Sequence, residues 1–450
     1  MQFSKTIKTS DEILNRLFLI CRSITGNGVR ESLGIIKEYI PELSIQEFPT
    51  GKQVFDWTIP KEWNIRDAYV KDEAGNRIID FKKCNVHVMS YSIPVDSRMS
   101  FEELNSHLYT LPKLPEAIPY RTSYYKENWG FCLSHNQYLQ LDKTIQYEVK
   151  IDSSLTNGYL TLGDLILKGK TEEEILISTY CCHPSLANDN LSGVVLFTLL
   201  YNELKKLDLK YTYRFVILPE TIGAITYLAQ NQEAMKKVIG GFVLTTLGGP
   251  GKFGYKETFL GNHLIDRAVR LTFRDFEIDY IAYPFVPDGS DERQYSSPGF
   301  RIPVSTISKD KYYEYDYYHT SLDNLDFVKS EYLIQSLELY LSAIGKIEKN
   351  ETYVNLNPNG ELQLGKRGLY PETGGAINQR VSETVGVANG DSTVSLTFKS
   401  SYKDELDSIL WFLFLADGTK DLISISEKTG IPVEQLAEIA EKFKLAGLIK

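Results

Sequence analysis

Residues 174–207 read EILISTYCCHPSLANDNLSGVVLFTLLYNELKKL, and the order of residue types in that stretch decides the fold. EILISTY is a short apolar run of the kind buried on both faces of a parallel sheet, whereas SGVVLFTLLYNELKKL keeps its apolar residues at helical spacing. Between them lies a loop holding His183 and Asp189. A loop that leaves the carboxyl end of a strand and enters a helix is where α/β folds place their chemistry, and both side chains can face a metal there. A lone histidine at a strand end is more often a structural hydrogen-bond donor, so the assignment needs further partners.

The same alternation continues through YTYRFVIL, GAITYLAQNQEAMKKV and GGFVLTTL, which predicts an α/β layer with a mixed, largely parallel sheet flanked by helices. Upstream, Ile13, Leu14, Leu17, Phe18 and Cys21 recur at helical spacing, and a second helical stretch runs from Val29 to Ile40, before Pro41. Downstream, residues 330–349 read as a closing helix. From about Trp57 to Asp152 the texture differs, with many Tyr and Pro residues and alternating runs such as NVHVMSYSI and TIQYEVKI, as in a separate β-rich module. After the closing helix, NLNPNGELQLGKRGLYPETGG resembles a linker. In the last fifty residues a helix, a turn at Thr429 and Gly430, and a helix opened by Pro432 suggest a helix-turn-helix.

Composition narrows the function classes. At 450 residues, with 42% hydrophobic and 24% charged residues, the chain is an ordinary globular protein of two or three domains. A formal net charge of -10 repels phosphate backbones and acidic membrane surfaces. The N-terminal stretch carries Asp11, Glu12 and Arg16 and lacks the apolar core of a signal peptide, which predicts a cytoplasmic address. The longest apolar run, ILWFLFLA at 409–416, falls well short of the roughly 20 residues a spanning helix needs. Five scattered cysteines are expected to be reduced thiols.

Two later segments supply the missing partners. In RFVILPETIGAITYL, Glu220 follows an apolar strand and starts a helix; in YHTSLDNLDFV, His319 sits on a loop with Asp323 near enough to orient it. Three strand ends thereby converge. At this point the sequence resembles the zinc aminopeptidases related to the glutaminyl cyclases: ANDNLSG is similar to GADDNASG, ETIGAITY to EExGLxGS and HTSLDN to HTPxDT. The resemblance implies that His183, Asp189 and His319 are metal ligands and that Glu220 is the general base. GSDERQY is similar to an SDH-like segment of the family, which puts Asp291 beside the site, with Glu292 and Arg293 as substrate contacts.

The order of PETIGAITYL, GSDERQYSSPGF and IPYRTSYYKENWGFC resembles, more narrowly, bacterial aminopeptidase-like proteins of unassigned function with a β-rich insertion and a C-terminal winged helix. The implied organisation is a discontinuous aminopeptidase-like domain (1–56 and 153–350), an inserted β-rich domain (57–152), and a linker with a winged helix (351–450). Within the insertion, Tyr120, Tyr124, Tyr125, Trp129 and Arg121 form either a pocket lining or a module core.

The departures from the family are informative. Thr221 stands where the family has a second glutamate ligand, Thr245 where it has an aspartate ligand, and Ser185 where an aspartate usually follows the histidine. Two divalent ions held by one carboxylate and two neutral imidazoles would leave about three uncompensated positive charges, so one zinc, or another divalent metal, is expected rather than two. The expected function is hydrolysis of an amide in a small molecule or short peptide. Two alternatives stay open: a catalytically weakened ligand-binding protein, and a DNA-reading regulator. Acidic residues outnumber basic ones nine to six from Ser401 to Lys450, which favours protein contact over nucleic acid, and ILWFLFL offers a core or a subunit interface.

Overall fold

The apolar runs do form strands, and with their neighbours they make an eight-stranded mixed sheet. Its strands are β1 (Ser44–Pro49), β2 (Tyr159–Leu167), β3 (Glu174–Tyr180), β4 (Thr212–Leu218), β5 (Val238–Leu244), β6 (Phe253–Lys256), β7 (Tyr280–Tyr283) and β8 (Val304–Lys309). They lie in the order β1-β2-β4-β3-β5-β8-β6-β7. The central four, β4, β3, β5 and β8, are parallel. At one edge β1 and β2 add as antiparallel strands; at the other, β6 is antiparallel to β8 and β7 parallel to β6. Every residue of β3, β4 and β8 is buried, as expected of strands covered on both faces.

Strand register aligns the ends of the central strands. Tyr180 lies beside Leu218, and Thr179 beside Leu244, so the carboxyl ends of β3, β4 and β5 finish in one row. Helix Ser192–Leu204 returns the chain from β3 to β4 and is buried from Ser192 through Tyr201. Gly193 lets the start of that helix approach the sheet: a Cβ there would lie 2.3 Å from the carbonyl oxygen of Leu244.

This computed structural model describes residues 2–369 and 401–450, which divide into two compact units, Met1–Ala343 and Ile344–Lys450. In the first unit the N-terminal helical region is two helices, Gln2–Phe18 and Asn27–Tyr39. The break between them carries Arg22 into the interior, fully buried, and turns at Gly26, whose φ of 101° suits glycine. The stretch after Glu220 also divides, into Ile222–Gln230 and Gln232–Met235, where the Asn231 side chain donates to the Tyr227 carbonyl and ends the first helix. A four-stranded antiparallel sheet of Arg77–Asp80, Glu62–Lys71, Gln146–Thr156 and Val95–Ser100, in that order, packs around Val70, Ile79, Phe131, Tyr147, Val149 and Ile151.

The closing helix, Ser330–Lys349, matches the expected bounds. In the second unit, Thr352–Val354 pairs antiparallel with Asp417–Asp421, and Val354 exchanges backbone hydrogen bonds with Lys450. Helices Leu422–Thr429 and Val433–Leu445 follow. Asp421 caps the first by accepting from the Ser424 N–H, and Gly430, at φ 76°, terminates it before Pro432 starts the next. From the ILWFLFL run, Ile409, Phe412 and Leu415 are core residues, while Trp411 and Phe414 are exposed. The expected linker is described only to Leu369; residues 370–375 of it lie outside the described residues. Among the described residues no helix is long and apolar enough to cross a membrane, and all five cysteines are free.

Candidate metal centre

Because β3, β4 and β5 end in register, the residues just beyond them emerge side by side: Cys182 and His183 after β3, Glu220 after β4, Thr245 after β5. His319 arrives from the long loop after β8. Three donor atoms, one each from His183, Asp189 and His319, lie within 4.8 Å of one another. Asp189 Oδ2 is 2.9 Å from His319 Nε2 and 4.0 Å from His183 Nε2, and Glu220 Oε2 is 3.8 Å from the same His183 nitrogen.

The backbone is held to this purpose. Arg22 donates through Nε to the His183 carbonyl, and Ser185 Oγ donates to the Phe18 carbonyl. Ser185, Thr221 and His319 have positive φ values of 44°, 63° and 53°. Non-glycine residues adopt such conformations only where the surroundings impose them, and three of them ring this one site. The Asp189–Asn190 peptide is cis.

Tyrosines enclose the imidazoles. Tyr120 meets both rings edge-on, with centroids 5.3 Å from His183 and 5.2 Å from His319, and Tyr318 stacks on His319 at 4.0 Å. Tyr120 is fixed there by its own N–H, which donates to the His319 carbonyl, and by its hydroxyl, 2.7 Å from that of Tyr124. On the other side, the Tyr180 hydroxyl donates to Asp189 Oδ1 at 2.6 Å and lies 2.6 Å from Thr245 Oγ1. Since the tyrosine proton goes to the carboxylate, the threonine hydroxyl is the donor in the second bond.

Charge in the site follows from burial and neighbours. Burial pushes His183 down to about 4, so its imidazole is neutral at pH 7 and has a lone pair to offer. Burial alone would raise the Asp189 carboxyl, but His183, His319 and the Tyr180 hydroxyl hold it down to about 2. Burial, reinforced by Asp291 and Asp189, pushes Glu220 well above the ordinary carboxylate range, with Arg293 opposing. Burial likewise raises Asp291 to about 7.

A divalent cation fits this donor set. Asp189 Oδ2 and His319 Nε2 are buried, close together, and neither makes a hydrogen bond, although buried polar atoms rarely stay unpaired. Two imidazole nitrogens and one carboxylate oxygen within 4.8 Å of one another are a donor set that suits zinc with an open coordination position. Cys182, His183 and Glu220 form a second close group, but the Cys182 thiol is pushed well above its ordinary range by burial, and its sulfur already accepts the Glu220 N–H at 3.3 Å. It is a weak ligand beside the first set.

The remaining residues singled out from the sequence have different tasks. Asp323 does not reach His319; it accepts the N–H groups of Asn188 at 2.5 Å and Asp189 at 3.0 Å, and the hydroxyl of Tyr315 at 2.9 Å. It orients the loop that carries Asp189, because a buried run of backbone donors there needs an acceptor more than an imidazole does. Asp291 accepts the Thr221 N–H at 2.8 Å, and Arg293 donates to Thr221 Oγ1 at 3.0 Å. Glu292 is fully buried and lies 3.7 Å from Lys256. Arg121 is exposed over the Tyr109 ring; its neighbour Tyr120 is the residue that enters the site. Tyr180, Tyr318 and Cys182 belong to the site without being evident from the sequence. With 29 tyrosines in the chain, residue type carries little information, and only the position of Tyr180 immediately before Cys181 and Cys182 hints at its role.

Comparison with known proteins agrees with this fold. Residues 11–350 match the family model of a domain of unknown function (DUF4910), and residues 392–450 match a winged helix-turn-helix. A Clostridium acetobutylicum protein, described as a candidate polysaccharide biosynthesis protein with an aminopeptidase-like domain, is 44% identical over 100% of this chain and 99% of its own. A crystal structure of a candidate peptidase from the same organism superposes with a TM-score of 0.88 at 43% identity, covering 100% of this chain and 98% of that one. The zinc aminopeptidase of Bacillus subtilis shares the fold at 12% identity, with a TM-score of 0.54 over 75% of this chain and 95% of its own.

Proposed function

Since the chain belongs to the family of the domain of unknown function DUF4910, with an aminopeptidase-like fold and a C-terminal winged helix, we propose that it is a one-metal hydrolase cleaving an amide bond in a small molecule or short peptide. The observation that carries the reading is the meeting of His183, Asp189 and His319 within 4.8 Å, with Glu220 beside them. His183 Nε2, Asp189 Oδ2 and His319 Nε2 would hold the ion. A divalent ion there supplies Lewis acidity toward a carbonyl oxygen and toward water.

One ion is favoured over two by the scarcity of anionic groups: Asp189 is the one carboxylate in the three-residue donor set, with Oδ1 accepting the Tyr180 hydroxyl at 2.6 Å and Oδ2 facing the imidazoles without a hydrogen bond. Thr245 is bonded to that same hydroxyl and Thr221 to Arg293, so neither supplies the anionic group a second cation requires.

Glu220 is the general base in this reading. Its Oε2 takes a proton from the attacking water and delivers it to the departing nitrogen. Burial beside Asp291 and Asp189 raises its proton affinity, which suits it to accept the water proton, while Arg293 opposes that rise and a bound cation would oppose it further. Tyr120 and Tyr318 hold the two imidazoles and exclude water from their flanks. The description of the 44% identical relative favours an amide on a saccharide precursor as substrate.

Elemental analysis of protein purified without chelators is expected to return one divalent ion, zinc first, per chain, together with chelator-sensitive release of amine from a panel of N-acyl amino sugars and aminoacyl compounds. Two tightly held ions would refute the one-metal reading. Full retention of metal with no turnover on any member of the panel would favour ligand binding instead, the reading that the threonines at 221 and 245 support.

A further inference from the structure

We propose that Arg293 forms an oxyanion-accepting subsite beside Glu220, so that the substrate carries a carboxylate or phosphate next to the bond that is cleaved. The proposal rests on the hydrolase reading for what is cleaved, but its structural basis is separate. Arg293 is half-buried and, among the described residues, makes one hydrogen bond, from Nη2 to the neutral hydroxyl of Thr221 at 3.0 Å. A guanidinium has five N–H donors, and among the described residues no carboxylate pairs with this one. Neither acid next to it in sequence is within ion-pair distance of it, and each gives one oxygen to another partner. Asp291 Oδ1 accepts the Thr221 N–H, and Glu292 accepts the hydroxyl of Thr306 and faces the buried ammonium of Lys256 at 3.7 Å. Lys256 is itself held by the Asp288 carbonyl and the Tyr312 hydroxyl, each at 2.9 Å, so it completes Glu292 rather than the site.

Thr221 connects this cation to the reaction centre. It directly follows Glu220, and its positive φ turns the Arg293-bonded side chain and the Glu220 side chain off one tight bend. The positive charge of Arg293 also reaches Glu220, Asp291 and the exposed Tyr313, lowering the proton affinity of each. A planar cation with unfilled donors, bonded to the residue next to the general base, is matched by a planar or tetrahedral oxyanion and repels an ammonium group.

The test is equilibrium binding by calorimetry on the full chain at low salt, with and without one equivalent of zinc. N-acetylglycine is compared with its uncharged amide, N-acetylglycinamide, and with N-acetyl-O-phosphoethanolamine. Wild type is expected to prefer at least one anion over the amide by tenfold or more in both metal states, with the better anion telling carboxylate from phosphate. Arg293→Gln is expected to abolish the preference, and Arg293→Lys, which keeps the charge and the fold, to retain part of it. A preference that survives Arg293→Gln, or no preference in wild type, overturns the subsite. Arg293-dependent binding without any amide turnover would leave the subsite standing and sink the hydrolase reading, so the two failures are distinguishable.

Discussion

Replacing Asp323 with alanine should damage the candidate metal centre without touching a proposed ligand. The Asp323 side chain is fully buried and accepts the N–H groups of Asn188 and Asp189 and the hydroxyl of Tyr315. Deleting it strands two buried backbone donors, each at a cost of about 1–3 kcal/mol, while the tyrosine hydroxyl is free to turn away. Burial raises the Asp323 carboxyl to about 7, so removing the acid also relieves part of its desolvation, and the net loss should be about 2–4 kcal/mol. Asp323→Asn keeps one acceptor and should lose roughly half as much. The second consequence is functional. The Asp189 backbone is no longer pinned, and zinc affinity should fall about 10- to 100-fold, as is usual when a ligand's support is lost. Urea unfolding of the full chain and competition for zinc with a chromogenic chelator measure the two effects. Unchanged stability together with zinc affinity within twofold of wild type would refute the role assigned to Asp323.

Glu220→Gln should keep the metal and lower turnover by about 10²- to 10⁴-fold, the usual range for a lost general base, and stopped assays beside metal analysis will show whether it does. Tyr120→Ala removes the ring that abuts both imidazoles and should weaken zinc binding by about tenfold or more while Tyr120→Phe, which keeps the ring, changes it little; chelator competition separates the two variants. For the metal-free protein, His183 titrates near 4 in the folded state against about 6.5 unfolded, so between those values the unfolded chain binds the extra proton. Its contribution of up to about 3 kcal/mol is therefore present above pH 6.5 and lost as pH falls toward 4, and His183→Gln should flatten that part of the stability profile measured by urea titration.

How much of this was legible beforehand depended on whether a property is local. The short, largely apolar runs EILISTY and TYRFVIL, bounded by loops, read as strands buried on both faces, and Asp421, Gly430 and Pro432 set the last helices by capping chemistry that needs no distant partner. His183 and Glu220 could be picked out because each lies just past a strand end, and Asp189 and His319 because each sits within a recognisable run of residues. The orientation of Asp323 was not legible, because whether a carboxylate faces an imidazole or a run of backbone donors is decided by the path of a loop more than a hundred residues away in the chain.

The sequence by itself determined the main strands and helices of the α/β layer, the positions of His183 and Glu220 just past strand ends and the absence of acidic side chains at 221 and 245, since all of these are properties of residue type and spacing. Only the tertiary structure decided that the Tyr180 hydroxyl takes one oxygen of Asp189, that Tyr120 rather than Arg121 turns toward the imidazoles, and that Arg293 is left without a carboxylate among the described residues. Those outcomes depend on which of several equivalent side chains arrives first at a shared neighbour, and that is set by strand register and loop path.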